Sequence, residues 1–460
     1  MSSPSSAQRC GLSVERRGPR VGRRAVVLGA AGALTAARAT ASGRVPVGGR
    51  LALRVPWPLA SIDPHAIDDA PAAIFGPAVF ETLYRRVGDA IEPALAESDP
   101  EPAGSALRVV LRAGLRASDG KPVGPRDVAA SIARSRARGG RAWLVDVPAP
   151  RIDAKGALVF ATRDAAALAR ALSSPVTAIV GAGFSPDTPV GTGALRFTRA
   201  SDGARLERNP FAPLGPSFLD GVTARAAPDL AASLRAFEGG GDDIGWLGSG
   251  LHEPRAGSRP FDHGAVGWAA LFTGRDALGW DAPGIAQRMC DGIPHSRLAY
   301  LGLGAAWRTD PNDGWGGPPA QLLVRDDAPW LVELARAVAA TVSRPSHEVT
   351  AHPVPASELA SRRASRLFAL AIDLVRALDR GAIPALISLA TAADPARAEP
   401  LAKRPPRLGD VPVRTLTRTL RCGVIGEVRV SGGRARDVVL PASPAGLGTD
   451  WGSAYRARKP

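Results

Sequence analysis

The sequence predicts an α/β fold, because strand and helix patterns alternate along two separate stretches of the chain. In the first stretch, residues 107–115 are rich in β-branched residues and partly alternate, and residues 125–138 follow as a helix. In the second stretch, residues 331–342 carry apolar side chains at helical spacing, and residues 367–375 form a very apolar strand, typical of a buried sheet. Two such successions indicate two α/β units.

Two elements precede the first of these strands. Residues 51–56 predict a short strand, and residues 74–85 predict a helix whose apolar residues fall on one side. After the strand at residues 107–115, the Ser-Asp-Gly sequence at residues 118–120 predicts a tight turn. We expect Gly120 to take a positive φ there, because glycine alone adopts that conformation at little cost.

The helix at residues 125–138 has a well-marked start. Pro125 suits the first helical turn, and Asp127 places negative charge near the N-terminus, where the helix dipole stabilises it. Val128 and Ile132 lie on one face of this helix at a spacing of one turn. We expect both side chains to be buried.

A β-hairpin and a strand–helix–strand unit follow. Residues 195–209 alternate on both sides of a Ser-Asp-Gly turn at residues 201–203, which predicts a hairpin. Residues 221–227 predict a strand, Asp229 predicts the N-cap of a helix that ends at two glycines, and residues 242–247 predict a further strand.

The second stretch continues the alternation of strands and helices. Asp327 is predicted to cap the helix that contains residues 331–342. Residues 348–354 predict a strand and residues 356–366 a short helix. From Arg414 to the end of the chain we predict only short strands. The sequence shows no internal repeat.

Composition and charge exclude several classes of protein. The 460 residues are 45% hydrophobic and 22% charged, which excludes a wholly disordered, collagen-like or coiled-coil chain. The net charge is +15, but charges of both signs are mixed along the chain, and only 3 Tyr and 11 Phe are present. Because nucleic-acid binding favours a dense basic stripe interleaved with aromatic residues, we predict no nucleic-acid partner.

The N-terminus predicts secretion. After an Arg-rich start, residues 25–37 are weakly apolar and residues 39–41 (Ala-Thr-Ala) fit a signal-peptidase site. Arg23 and Arg24 precede the apolar run and resemble a twin-arginine export signal. We predict a twin-arginine-type signal peptide over residues 1–41 and a periplasmic or extracytoplasmic location, with a disordered Arg-rich leader as the alternative. No cysteine stands directly after the apolar run, so a lipoprotein anchor is not predicted.

Cysteine usage leaves two states open. Cys10 lies in the leader, and the remaining cysteines are Cys290 and Cys422. They form either two buried thiols or one long-loop disulfide, which an oxidising compartment permits. No CxxC pair and no metal-ligand spacing accompanies them.

Motifs for catalysis or metal binding are absent from the sequence. It contains no GxSxG, HExxH or P-loop motif, and its six histidines are scattered. His347 and His352 are five residues apart at a predicted strand and form no ligand set. The Gly-Thr-Gly sequence at residues 191–193 lacks the lysine and the following helix of a phosphate loop, so it predicts a structural turn. We predict no enzyme activity, no cofactor and no metal site.

Several short motifs occur in a characteristic order. The most specific block covers residues 111–131 and combines a Ser-Asp-Gly turn with an Asp-Val-x-x-Ser helix. The other motifs are SIDP at 61–64, FETLY at 80–84, PALA at 93–96, PVGTG at 189–193 and FLDGV at 218–222. In content and order these motifs resemble the family 5 extracellular solute-binding proteins of ABC importers, which are oligopeptide-, dipeptide- and nickel-binding receptors. The chain is identified as a divergent member of that family.

The resemblance implies a fold of the type II periplasmic-binding-protein kind, with two lobes joined by a hinge and an extra subdomain on the first lobe. The first lobe is expected to be discontinuous along the chain. The expected boundaries are 46–75, 182–265 and 405–460 for the three parts of lobe I, 76–181 for the extra subdomain and 266–404 for lobe II.

The resemblance also implies a function. The protein is expected to bind a peptide or other small polar solute between its lobes, as a monomer, and to deliver it to the membrane subunits of an ABC permease. The alternative is a degenerate member that no longer transports a solute and acts as an envelope sensor or assembly partner. A shortened chain and a reduced motif at residues 377–384 favour that alternative.

Three residues are candidates for ligand contact. By its place in the family pattern, Asp379 is expected to receive a ligand ammonium group, with a helix cap or a surface charge as the alternative. Arg380 stands where the family has tyrosine and is a further candidate partner for Asp379. Trp246 is expected either at the cleft or in the core. Arg275 is expected either to meet an anionic group or to be solvated.

Overall fold

The fold is that of a computed structural model. The described residues are 45–246, 257–275, 279–280, 282, 284–309, 315–406 and 413–457. The predicted signal peptide at residues 1–41, with its arginine pair, lies outside the described residues, and so does Cys10. From Pro46 onward the chain forms one compact unit.

Strands occur along the whole described chain. They are β1 (Arg50–Val55), β2 (Tyr84–Val87), β3 (Ala90–Pro93), β4 (Glu101–Ala103), β5 (Ala106–Val109), β6 (Arg151–Ile152), β7 (Leu158–Phe160), β8 (Leu195–Ala200), β9 (Gly203–Arg208), β10 (Gly221–Ala226), β11 (Ile244–Trp246), β12 (Arg259–Thr273), β13 (Ala320–Arg325), β14 (Val349–Val354), β15 (Leu370–Arg376), β16 (Cys422–Arg434), β17 (Val438–Val439) and β18 (Tyr455–Arg456).

Helices alternate with these strands. The α-helices are α1 (Ala70–Val79), α2 (Pro125–Ala137), α3 (Ala165–Ala171), α4 (Leu230–Glu238), α5 (Ile285–Asp291), α6 (Pro329–Val342), α7 (Ala356–Ser365), α8 (Ala382–Ala393) and α9 (Pro395–Lys403). Short 3₁₀ helices cover Pro175–Thr177, His295–Arg297, Ala299–Leu301 and Val413–Thr419. Among the described residues, no helix combines the length and apolar character required to cross a membrane.

A mixed sheet runs through the described chain in the strand order β14-β13-β15-β12-β16-β11-β1-β10-β9-β8. In one half β1 is parallel to β10, and in the other half β13 is parallel to β14 and β15. Between the halves, β12 and β16 pair antiparallel from Arg259 opposite Arg434 to Phe272 opposite Cys422. The predicted α/β fold is present, and two long strands connect the two halves of the sheet.

The long strand β16 shows that the prediction of only short strands after Arg414 is wrong. Its glycines interrupt the apolar alternation that identifies a strand in a sequence. One of them, Gly423, lies so close to α5 that an added Cβ would stand 2.4 Å from the carbonyl oxygen of Ala286. Glycine inside a strand marks a close approach of another backbone, and here that approach hides the strand pattern.

A separate layer forms the extra subdomain, which consists of β2–β7, α2 and α3. Its four-stranded antiparallel sheet has the order β4-β5-β7-β6. Its own apolar core includes Leu83, Leu107, Phe160 and Leu168, all almost fully buried. This core is distinct from the one that covers the large sheet.

The turn and helix predicted around residues 118–138 are confirmed. Gly120 has a φ of +83° and its N–H donates to the carbonyl of Ala117 at 2.8 Å. The Asp127 carboxylate accepts from the backbone N–H of Gly124 at 2.9 Å, which caps the first turn of α2. Val128 and Ile132 are 0% and 1% exposed.

The helix predicted over residues 74–85 is misplaced, because α1 covers Ala70–Val79. Asp69 starts it by accepting the N–H of Ala72 at 2.7 Å. At the other end, the N–H of Gly193 donates a hydrogen bond to the carbonyl oxygen of Val79 at 2.9 Å. The backbone becomes extended at Phe80. The FETLY motif therefore leaves the helix. This tertiary contact cannot be read from local periodicity.

The later predictions are largely confirmed, with one correction. The hairpin β8–β9, the Asp229 cap of α4 and the apolar face of α6 are all present. The prediction that Asp327 caps α6 is wrong, because its carboxylate pairs with Arg325 and Ala328 is the N-cap residue. Cys290 and Cys422 are both buried and are not joined by a disulfide.

Candidate ligand cavity

The main candidate site is a cavity of about 550 Å³ between the extra subdomain and both halves of the large sheet. Four parts of the chain line it: the end of α1 and the residues after it, the extra subdomain, the segment after β15, and residues 443–451. Cavities of 300–1,000 Å³ are typical of small-molecule sites. The geometry therefore suits a small ligand enclosed by several parts of the fold.

Glu81 reaches the cavity because the chain leaves α1 just before it. Its N–H donates to the hydroxyl of Thr192 at 3.3 Å, and its carbonyl accepts from Ile179 N–H at 2.8 Å. The PVGTG turn and the segment that follows the 3₁₀ helix Pro175–Thr177 thus hold the Glu81 backbone from two sides. Sequence reasoning missed this residue, although it stands inside the quoted FETLY motif.

The Glu81 carboxylate is the most perturbed acid of the cavity. Burial raises its pKa to about 8, Arg85 opposes that rise, and Asp450 adds to it. Among the described residues, no hydrogen-bond donor or cation contacts this carboxylate. It is an acid that burial keeps mostly protonated near pH 7, in a site where no described cation pairs with it.

Asp450 lines the same cavity from the C-terminal segment. Its carboxylate accepts the N–H of Ser453 at 3.1 Å. The neighbouring Trp451 is 1% exposed, and its indole N–H donates to the Ile74 carbonyl at 2.9 Å. This tryptophan fixes the C-terminal segment against α1 and so holds Asp450 at the cavity wall.

Asp379 also lines the cavity, but its charge is already paired. Its carboxylate lies 2.9 Å from the guanidinium of Arg86, and the two side chains are 23% and 27% exposed. Arg380 donates its backbone N–H to Asp379 at 2.7 Å, whereas its side chain donates to the carbonyl of Gly446. The partner of Asp379 is therefore Arg86 and not the Arg380 side chain.

The other two candidates from the sequence lie elsewhere. Trp246 is 2% exposed, stacks on Trp57 at 6.2 Å and donates its indole N–H to the carbonyl of Arg429. It packs in the core and is not among the cavity-lining residues. Arg275 is exposed, and its backbone N–H donates to Arg366. It does not line the cavity either.

A buried arginine underlies the cavity and was missed by sequence reasoning. Arg376, at the end of β15, is 1% exposed and donates to the carbonyls of Pro64, Ala66 and Ala72 at 2.8–3.2 Å. Burial lowers its pKa, and Asp69 opposes that change. Because its hydrogen bonds go to backbone carbonyls, it ties the second half of the sheet to the first. A single arginine after an apolar strand carries no sequence signal for this role.

A second buried cluster ties the extra subdomain to the first half. Arg134 of α2 makes two hydrogen bonds of 2.7 Å to Asp63 and one of 2.8 Å to His65. Burial lowers the pKa of His65 to about 4, so its ring is neutral near pH 7. Asp63 belongs to the SIDP motif, which thus serves to dock the subdomain.

Two further polar groups near the cavity lack partners. The hydroxyl of Ser174 and the indole N–H of Trp143 have no hydrogen bond within the described part of the chain, and both residues line the cavity. Among the described residues, no cluster of three or more His, Cys, Asp or Glu has the arrangement of a metal site. The polar features of the cavity are those of a binding site for a small organic molecule.

A family model described as bacterial extracellular solute-binding proteins, family 5 (middle), matches residues 90–255. Within these residues the chain is similar to that family. The matched region includes the Ser-Asp-Gly turn, α2 and the PVGTG motif, so the resemblance inferred from these motifs is confirmed. No curated protein sequence matches the chain significantly.

Solved structures show the same fold for this chain. The pheromone receptor PrgZ, described with its mode of peptide binding, has a TM-score of 0.69 at 14% identity and covers 90% of this chain and 100% of its own. AppA from Bacillus subtilis, in complex with a nonapeptide, has a TM-score of 0.65 at 12% identity, covering 90% and 100%. NikA from Brucella suis, in complex with Fe(III)-EDTA, has a TM-score of 0.62 at 15% identity, covering 89% and 100%. At these identities the likeness establishes the two-lobed fold with its extra subdomain.

Proposed function

We propose that this protein is an extracytoplasmic receptor that binds a peptide or other small polar solute in the cavity and delivers it to an ABC permease. The observation that carries the proposal is the cavity of about 550 Å³ enclosed by separate parts of a solute-binding fold. Its partnerless polar groups support the same view, because buried polar groups in native structures normally have partners.

The proposed mechanism is closure of two lobes around the solute. We assign lobe I to residues 46–75, 182–265 and 405–460, the extra subdomain to residues 76–181, and lobe II to residues 266–404. The paired strands β12 and β16 connect the two sheet halves and are the proposed hinge. Solute contacts shared by both lobes stabilise the closed state, and the permease then distinguishes the closed from the open receptor.

Export by the twin-arginine-type signal over residues 1–41 is part of the proposal. Changing both Arg23 and Arg24 to lysine should leave the precursor in the cytoplasm. Cell fractionation with an antibody against the protein measures this. Normal secretion of the double variant would contradict the twin-arginine signal while leaving secretion itself in place.

The decisive experiment for solute binding is mass spectrometry of small molecules that co-purify with the exported protein. Ala171 lines the cavity, so Ala171→Phe should block it and abolish co-purification. Ala130 is exposed on α2, and Ala130→Phe is the matched control, which should retain the solute. Circular dichroism verifies that both variants are folded. Equal amounts of solute on both variants would place binding outside this cavity.

Delivery to a permease requires its own measurement. Cells that lack the receptor should lose uptake of the co-purified solute and recover it when the wild-type gene is restored. Unchanged uptake in the deletion strain would favour the alternative, an envelope sensor or assembly partner without transport.

A further inference from the structure

The charged residues that line the cavity differ in exposure. Arg85, Arg170, Asp146 and Asp164 are exposed and therefore well solvated. Glu81 and Asp450 are half-buried acids that interact electrostatically with each other.

The less exposed cationic side chains of the cavity wall are engaged with other groups. Arg86 is paired with Asp379, and Arg376 donates to backbone carbonyls. Among the described residues, Glu81 and Asp450 therefore have no paired cation.

We propose that Glu81 and Asp450 form a binding site for a positively charged nitrogen group, so that the receptor selects organic cations such as amines. The inference rests on the proposed function, because it specifies the class of solute that the cavity binds. It places the cation at a site other than Asp379, to which the family pattern pointed.

Desolvation is the physical reason for cation selection. A carboxylate removed from water is unstable unless a hydrogen-bonded countercharge replaces the lost hydration. No side chain of the described residues supplies one to Glu81, since the nearby Arg85 extends to Glu92 at 3.3 Å on the surface. A ligand ammonium group supplies the charge and the donors together. An anionic ligand would supply neither a positive charge nor hydrogen-bond donors to these two acids.

Asp379 is a weaker candidate for the same role. Its carboxylate has Arg86 at 2.9 Å and a backbone N–H from Arg380. A ligand cation at Asp379 would have to displace Arg86, whereas a cation at Glu81 displaces no side chain.

Proton release is a measurable signature of this site. The charged groups that face Glu81 are Arg85 on its own segment and Asp450 from the C-terminal segment. Since burial raises the pKa of Glu81 to about 8, the free carboxyl is mostly protonated at pH 7. A bound cation stabilises the ionised form, so binding should release up to about one proton from the protein.

The test uses calorimetric titration of the mature protein with matched pairs of probes. The pairs are putrescine with N-acetylputrescine and L-alanyl-L-alanine with its N-acetyl derivative, so that each pair differs by one charged amine. Titration at pH 7 in two buffers of different ionisation enthalpy counts the released protons. Glu81→Gln and Asp450→Asn remove the proposed site. Asp202→Asn, an exposed carboxylate paired with Arg225, is the control.

We expect the member of a pair with more free amines to bind more tightly, with proton release. Glu81→Gln should weaken amine binding by about tenfold to a hundredfold, the range of one charge-assisted hydrogen bond, and should abolish the release. Asp202→Asn should change neither the affinity for amines nor the proton release.

Equal binding of both members of every pair, unaffected by Glu81→Gln, would overturn the inference and leave the receptor function standing. Absence of binding by every amine would overturn it too. If, in addition, no solute co-purifies with the wild-type protein, the proposed receptor function is contradicted as well as the inference.

Discussion

The carboxylate of Asp379 accepts a hydrogen bond from the guanidinium of Arg86 at 2.9 Å, although 293 residues separate them along the chain. Arg86 belongs to β2 of the extra subdomain, and Asp379 follows β15 in the second half of the large sheet. The pair connects the two parts across the cavity wall. It also neutralises the carboxylate that the family pattern assigns to ligand binding.

We expect this ion pair to contribute little to stability and little to affinity. Because both side chains are about one-quarter exposed, solvent screens the attraction, and a double-mutant cycle of Arg86→Gln and Asp379→Asn should give a coupling of less than about 1 kcal/mol. Urea unfolding measures the coupling. Asp379→Asn should also leave the affinity for the co-purified solute nearly unchanged. A tenfold loss would instead restore the ligand role predicted from the sequence.

Glu81 should make stability depend on pH. Its folded pKa of about 8 exceeds the ordinary value of 4.5, because the folded state desolvates the carboxylate. The folded state therefore binds more protons than the unfolded state between these values, and stability falls as the pH rises through that window. Glu81→Gln removes this loss of stability at high pH, because glutamine does not ionise. Thermal unfolding of the ligand-free proteins at pH 5 and pH 8 should show the variant gaining on the wild type at pH 8. A pH-independent difference would contradict this expectation.

Arg134 should be essential for docking the extra subdomain. Arg134→Met leaves Asp63 buried without its countercharge, which is expected to cost about 3 kcal/mol in the free energy of unfolding. Arg126 is exposed on the same helix, and Arg126→Met is the matched control, expected to change stability by less than about 0.5 kcal/mol. Chemical denaturation compares the two variants. Equal effects would show that the cluster does not dock the subdomain.

Gly193 should tolerate no side chain. A Cβ at this position would lie 2.3 Å from the carbonyl oxygen of Ala78, at the end of α1. We expect Gly193→Ala to destabilise the protein by about 1–3 kcal/mol and to displace the residues that follow α1, including Glu81. Gly181→Ala is the control, because an added Cβ there meets no atom within 4 Å. Thermal unfolding and amine titration together measure both consequences, and a fully stable Gly193→Ala protein would contradict the expectation.

Local signals made much of the fold predictable. Gly120, Asp127 and Asp229 act through their own backbone and the next few residues, so turn and cap chemistry located them correctly. The apolar face of α6 was predictable for the same reason, since a period of 3.6 residues is a local property. Contacts between distant segments could not be predicted from such local signals. The end of α1 depends on Gly193, which lies far along the chain.

The candidate site was less predictable than the fold. Asp379 was located at the cavity by the family pattern, but its pairing with Arg86 depends on how the extra subdomain packs. Glu81 stood inside a recognised motif and fell within the predicted helix, because the sequence cannot show that α1 ends before it. Trp246 shows the converse case, since an aromatic residue at the end of a strand packs in the core as readily as it lines a cleft.

The central position of β16 affects how this chain is made. Residues 422–434 are synthesised long after β11 and β12, yet they pair with both strands. The large sheet therefore cannot close before these residues have been synthesised, and the pairing of such distant segments slows folding. A chain that stops before Cys422 would carry two unpaired strand edges, which are surfaces that join one chain to another in aggregates.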